Sequence, residues 1–253
     1  MFLSLPGAPK AVIAALESLT EALQKHGGSD FAGLVLYGGL ARGRFREGRS
    51  DVNVVVLLHR AGADVLGRIG PALRSARRAA AVEAMLITPA EVPAAAFEFA
   101  TTFLDIKRHH VMLAGEDPFA ALEVPRVIVQ LRVAQGLRDL LLRLRRHYSV
   151  AYDDALSLKE TLLDCARPLA IELLALLHDG GHAVPDDDRT DEVFAAAAQA
   201  FDLDGRSLAA LAALRAAGSK EDGTLDAAAL YGRVLEQLAA LADRADALAG
   251  AST

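Results

Sequence analysis

At 253 residues the chain is long enough for one large domain or two small ones, and about three quarters of its unfolded surface can be buried without disulfides or a structural metal. A formal net charge of −6 argues against general nucleic-acid binding, and the single cysteine, Cys165, cannot form an internal disulfide, which fits a reducing compartment. The longest apolar run, PLAIELLALL, is about half the ~20 residues of a membrane span and Glu172 interrupts it, while MFLSLPGAPK has no leading positive charge; the expectation is a cytoplasmic protein with no membrane association and no secretory leader.

Taken in chain order, Val12, Leu16, Leu19 and Leu23 recur at helical spacing and predict a helix over residues 9 to 26, stopped at Gly27-Gly28. FAGLVLYG reads as a short buried strand and DVNVVVLL as a second, rich in β-branched residues. A broken helical pattern spans 62 to 78, with Gly70-Pro71 inside it, and AVEAMLIT reads as a third strand ended by Thr88-Pro89. Strands alternating with helices indicate a sheet layered with helices. Beyond residue 120 no further strand is convincing. Leu137, Leu141 and Leu144 mark one helix. Leu158, Leu162, Cys165, Leu169, Leu173 and Leu176 form a long apolar stripe, and Val234, Leu238 and Leu241 mark a last helix, so the second half reads as a helical bundle. The boundary is expected in GEDPFAALEVP, giving domains of 1–120 and 121–253.

The segment with chemical content is LYGGLARGRFREGRSDVNVVVLL. Alternation along a strand puts Asp51 and Asn53 on one face at the start of an otherwise apolar strand, where both can project into a cleft. Upstream, Gly38 and Gly39 bring no side chains, so backbone N–H groups can approach an anion closely. Between them lie Arg42, Arg44, Arg46 and Arg49, whose guanidinium groups suit phosphate oxygens. A polyphosphate site with metal-binding carboxylates accounts for this pattern. A tight strand-to-helix turn with a solvated arginine face and Asp51 as a cap accounts for it too.

The segment resembles the signature of the nucleotidyltransferase superfamily that includes DNA polymerase β and the kanamycin and streptomycin nucleotidyltransferases. That signature is a strand, Gly-Ser, a short Gly-containing loop and Ser-Asp-x-Asp entering a strand. Gly38-Gly39 stands at Gly-Ser, Gly43 falls in the loop, and Ser50-Asp51-Val52-Asn53 stands at Ser-Asp-x-Asp. The resemblance implies an α+β fold: an N-terminal mixed β-sheet with flanking helices, followed by an all-α bundle that supplies the acceptor pocket. It implies transfer of a nucleoside monophosphate from an NTP, ATP first among them, to a hydroxyl of a small molecule or protein. Mg²⁺ or Mn²⁺ would sit on Asp51, Asn53 and Glu83, with Asp51 and Glu83 catalytic. Gly38, Gly39, Arg42, Arg44, Arg49 and Ser50 would hold the nucleotide. Two departures stand out: Gly39 lacks the serine hydroxyl, and Asn53 brings a neutral amide where a second carboxylate is expected. The implied two-metal clamp is weakened, and nucleotide binding is expected to outlast catalysis. The alternative is a catalytically degenerate module that binds nucleotide or a protein partner, with the Ala/Leu-rich bundle offering a homodimer surface.

Glu83 shares its strand face with Met85 and Ile87, which suits a cleft end; it can equally be an edge residue paired with Arg77 or Arg78. Lys107 to His110, KRHH, is either a phosphate contact or a solvated helix end. His178 and His182 flank a Gly-Gly break that argues against zinc. Asp153-Asp154 and DDDR at 186–189 read as solvated turns and helix starts, Cys165 as core, Pro168 as a kink, and Arg138, Arg143, Arg145 and Arg146 as the exposed face of a helix.

Overall fold

The computed structural model describes residues 5, 7–45, 47, 50–185, 189–217 and 226–251. The chain divides into two compact units, Met1–Val124 and Pro125–Thr253. No described helix is long and apolar enough to cross a membrane.

The first unit is a four-stranded mixed sheet covered by helices on both faces. Helix α1 (Lys10–Gly27) enters from Pro9 and buries Val12, Leu16, Leu19 and Leu23; Gly28, at φ +55°, ends it. Strands β1 (Phe31–Tyr37) and β2 (Val52–Leu58) pair antiparallel. A single unbroken helix, α2 (Ala63–Ala80), crosses over to β3 (Val82–Ile87), which pairs parallel to β2. The break expected at Gly70-Pro71 does not occur. The first turn of α2 is complete before Pro71, so one missing N–H donor is carried within an amphipathic helix whose Val65, Ile69 and Ala76 are buried. Helices α3 (Val92–Glu98) and α4 (Ala100–Arg108) follow, then β4 (His110–Gly115), which adds antiparallel to β1 and gives the order β3-β2-β1-β4. Sequence reading missed β4, because HVMLAG is short and every residue before Gly115 is only partly buried.

Two cores form on opposite faces of the sheet. Leu34, Leu36, Val52, Val54, Val56 and Leu58 pack against α1 and α2, while Val35, Val55, Leu57 and Ile87 pack against α3, α4 and Phe119. A strand buried on both faces reads as a continuous apolar run, as β2 does from Val54 onward.

Among the described residues the second unit is all helical: α5 (Arg126–Ala151), α6 (Ala155–Asp179), α7 (Thr190–Phe201), α8 (Gly205–Ala217) and α9 (Ala227–Ala251). Asp154 caps α6 by accepting from the N–H groups of Leu156 and Ser157 at 3.1 and 3.0 Å. Helix α6 runs through Pro168, and Cys165 is buried on its stripe with its thiol pushed up to about 12 by desolvation. The Tyr231 hydroxyl donates to the Leu144 carbonyl at 3.0 Å, joining α9 to α5. Arg138 pairs with Asp243 and Asp246 of α9 on the solvent-exposed side of the two helices.

Glu172 is the anomaly of this unit. Its carboxyl lies against Gly136 of α5, where an added Cβ would stand 2.5 Å from Oε1, and its Oε2 is buried with no hydrogen-bond partner. Desolvation pushes its pKa up to about 8. A raised carboxyl pKa means the folded state keeps a proton that the unfolded chain releases above pH ~4.5, so Glu172 costs stability progressively as pH rises from there to about 8, and nothing more beyond it. With partial exposure discounted, the cost near pH 7.5 is about 2 kcal/mol. Glu172→Gln is therefore expected to raise the melting temperature at pH 7.5 and leave it nearly unchanged at pH 4.5, as read by calorimetry.

Candidate functional site

Register collects the polar groups at one end of the sheet. Tyr37 at the end of β1 faces Asn53 on β2 and His110 on β4, and Asn53 lies beside Glu83 on β3. The result is a row, Glu83–Asn53–Tyr37–His110, across all four strands. By alternation it lies on the face that carries Val35, Val55, Met85 and Met112 toward α3 and α4. Gly38 leaves β1 at φ +76°, and an added Cβ there would stand 3.1 Å from Asn53 Nδ2. Glycine thus permits both the left-handed turn and the close approach of the amide. At Gly39 an added Cβ would meet only the Arg44 carbonyl, at 3.8 Å, so space does not forbid a serine there. The turn closes on itself through Gly43 N–H to the Leu40 carbonyl at 3.0 Å and Arg44 N–H to the Gly39 carbonyl at 2.8 Å.

One side of this end carries the candidate acids. Asp51 is exposed just before β2, whose first N–H, on Val52, donates to the Ala81 carbonyl at 3.1 Å. Ser50 beside it is half-buried. Glu83 pairs with Arg77 at 2.9 Å, the edge-strand partnership weighed from the sequence. Both side chains are open to solvent, 46% and 69% exposed, so the pair is worth under about 1 kcal/mol and is readily broken. As a donor set for divalent cations the three residues supply one free-standing carboxylate, one neutral amide and one carboxylate engaged by arginine. Among the described residues no group of three His, Cys, Asp or Glu side chains is placed to hold a metal ion. This set suits at most a single ion that takes further ligands from elsewhere and does not suit a two-ion clamp.

On the other side the turn meets α4. Arg42, with a side chain only 4% exposed, forms an ion pair with Asp105 of α4. Burial, and secondarily the Asp105 charge, hold the Tyr37 hydroxyl above its ordinary pKa. Arg108 and His109 end the same helix. His109 is held below its ordinary pKa first by burial and next by Arg42; Arg44 and Arg108 add to this and Asp105 opposes it. Positive charge from the turn and from α4 therefore converges on one imidazole. The rest of KRHH is structural: Lys107 Nζ donates to the Leu122 carbonyl at 2.6 Å, and the His110 ring bridges the Ile106 carbonyl at 2.8 Å and Asp117 at 3.0 Å. Arg46 and Arg49 lie outside the described residues, as do Asp186, Asp187 and Asp188.

Of the residues expected from sequence, Gly38 and Asn53 meet, Asn53 and Glu83 are neighbours in register, and Asp51 stands at the mouth of the same strand. Sequence reading missed Tyr37 and Asp105, since an acid inside an ordinary amphipathic helix gave no signal; Arg108 was weighed only within the cluster KRHH.

No protein-family model matches the chain, and no characterised protein matches it in sequence. Its fold is similar to that of spectinomycin adenyltransferase from Enterococcus faecialis, a structure with ATP and spectinomycin, at a TM-score of 0.57 and 14% identity. The match covers 89% of this chain and 98% of that one. At that identity the likeness is one of fold alone: a mixed sheet with flanking helices followed by a helical region.

Replacing Asp105 by alanine strips the buried Arg42 of its carboxylate, and such a loss costs about 2 kcal/mol or more. Chemical denaturation of Asp105→Ala is expected to show that loss, and Arg77→Ala, which breaks an exposed pair, a change within about 0.5 kcal/mol.

Proposed function

We propose that the N-terminal unit binds a nucleoside triphosphate, ATP first, and that this chain is a nucleotidyltransferase-like protein whose transfer of a nucleoside monophosphate to a hydroxyl is attenuated at its metal site. The observation that carries this reading is the pairing of Gly38 with Asn53 beside Glu83. A glycine turn that leaves backbone open to an anion lies beside an amide where the resemblance expects a second carboxylate, and both support nucleotide binding with a weakened metal site. The fold shared with an adenyltransferase supports the choice of ATP and of a small hydroxyl-bearing acceptor, with a protein hydroxyl as the other class.

In this reading Gly38 and Gly39 present backbone to the phosphates, Ser50 and Arg44 border them, and Arg42 braces the turn through Asp105. Asp51, with Asn53 as a weak neutral ligand, would hold one Mg²⁺ or Mn²⁺ together with the phosphates. That ion supplies charge neutralisation on the triphosphate when bound. Glu83, released from Arg77, would take the proton of an acceptor hydroxyl as it attacks the α-phosphorus and pyrophosphate leaves. Two steps therefore stand against fast turnover: Glu83 must exchange partners, and only one carboxylate flanks it.

A second reading, a module that binds nucleotide or a protein partner without chemistry, draws on the same Asn53 and on the Glu83–Arg77 pair. One pair of assays separates the two. Pyrophosphate release from Mg–ATP, with a pool of hydroxyl-bearing small molecules, is expected to be slow in the wild type and absent in Asp51→Ala. Asn53→Asp restores a carboxylate beside Glu83 and is expected to raise the rate by about tenfold or more, one decade for each ~1.4 kcal/mol regained. Absence of ATP binding by calorimetry at millimolar ligand overturns the nucleotide reading and leaves only the protein-partner form of the second.

A further inference from the structure

We propose that this chain pairs with a second copy of itself through the exposed face of the α5–α6 hairpin, about a two-fold axis that runs between the two helices. The inference stands apart from the nucleotide reading and concerns the helical unit alone.

The first observation is where exposed apolar side chains gather. Val150, Tyr152 and Leu156 are 77%, 63% and 58% exposed, and all three lie at the turn that joins α5 to α6. Leu142, also exposed, continues the patch along α5. Single exposed leucines are ordinary on a protein surface, whereas a cluster at one tip marks a contact surface.

The second observation is the order of charge on the same face. On α5 the exposed residues Asp139, Leu142, Arg143, Arg146 and Val150 recur at helical spacing and share one face. Leu156, Glu160 and Asp164 do the same on α6. The buried stripes, Leu137, Leu141 and Leu144 on α5 and Leu158, Leu162 and Cys165 on α6, turn toward the rest of the unit, so the two exposed faces turn away from it together. Three contacts set the heights of this antiparallel pair. Gln130 Nε2 donates to Asp179 Oδ2 at 2.8 Å, Gly136 lies against the Glu172 carboxyl, and the His147 ring meets Thr161 Oγ1 at 3.0 Å. By that register Arg143 stands level with Asp164, Arg146 with Glu160, and Val150 with Leu156. The face thus carries a basic column on α5, an acidic column on α6 and an apolar tip. Among the described residues none of Arg143, Arg146, Glu160 and Asp164 is in an ion pair.

This order selects the occupant and its orientation. A two-fold axis lying in the interface and parallel to the helices sets α5 of one copy against α6 of the other at equal height. Arg143 and Arg146 then face the partner's Asp164 and Glu160, the same contacts form a second time across the axis, and the apolar tips meet. An axis running across the helices would set α5 on α5 and bring arginine to arginine. An anionic lipid surface would be repelled by Glu160 and Asp164 beside the tip. The face covers about three turns of two helices, near the low end of specific interfaces, so the dimer is expected to be weak, with a dissociation constant of about ten micromolar.

The test is sedimentation velocity of the full chain from about 1 to about 200 µM without nucleotide, at low and at high salt. The wild type is expected to pass from monomer to dimer across that range, with weaker association in added salt. Arg146→Glu and Glu160→Arg are each expected to weaken the dimer about tenfold, and the double variant, which exchanges the two signs across the axis, to return toward wild type. Val150→Asp is expected to remain monomeric with an unchanged melting temperature, since the position is exposed. A wild type that stays monomeric throughout overturns the proposal, and if that monomer also sediments with phosphatidylserine vesicles the tip belongs to a lipid surface. A dimer that none of these variants weakens overturns the assignment to this face. Single variants that weaken it without recovery in the double variant overturn the placement of α5 against α6.

Discussion

The structure of the N-terminal unit depends on one constraint: its sheet is buried on both faces, so polar groups can live only at its ends. Val52, Val54, Val56 and Leu58 fill one core, and Val55 and Leu57 fill the other. A shift of register by one residue would drive each set into the wrong layer. That two-sided burial fixes β2 against β1 and β3, and it is what sets Asn53 between Tyr37 and Glu83. The site is in this sense a by-product of the core, and Gly38 is the one position where the turn was shaped around it.

From that constraint the character of the site follows. Its β3 side carries Glu83 paired with Arg77. On the other side the turn after β1 is tied to α4 by a largely buried ion pair, Arg42 with Asp105, of the kind that contributes positioning more surely than net stability. The helical unit shows the same principle in a different residue. Glu172 is accommodated beside Gly136 without a partner, and burial answers by keeping it protonated.

Much of the fold was legible in the sequence, and the reasons are specific. The α1 stripe, the β-branched run of β2 and the leucine stripe of α6 each carry a period that admits one structure. The failures are as specific. β4 lies at the sheet edge with only partial burial, so HVMLAG shows no strong alternation. Gly70-Pro71 looked like a break, yet a helix with a buried stripe on either side of it runs on. At the site, Asp51 and Asn53 could be named from a strand's alternation and Gly38 from its lack of a side chain, and Glu83 from the family resemblance. Arg42 could be assigned to the nucleotide from the sequence, and its ion pair was not legible: Asp105 stands 63 residues away, and no local pattern couples a loop arginine to a helix acid. His109 could not be distinguished from His110 in KRHH until the strand pairing separated the two.

The central claim is that a nucleotide engages the turn after β1 beside Asn53. Amide hydrogen exchange read by mass spectrometry, with and without ATP, tests it most directly. The account predicts slowed exchange over residues 38–45, with the interior of β2 unchanged. Unchanged exchange there, or slowing only in the helical unit, would contradict it.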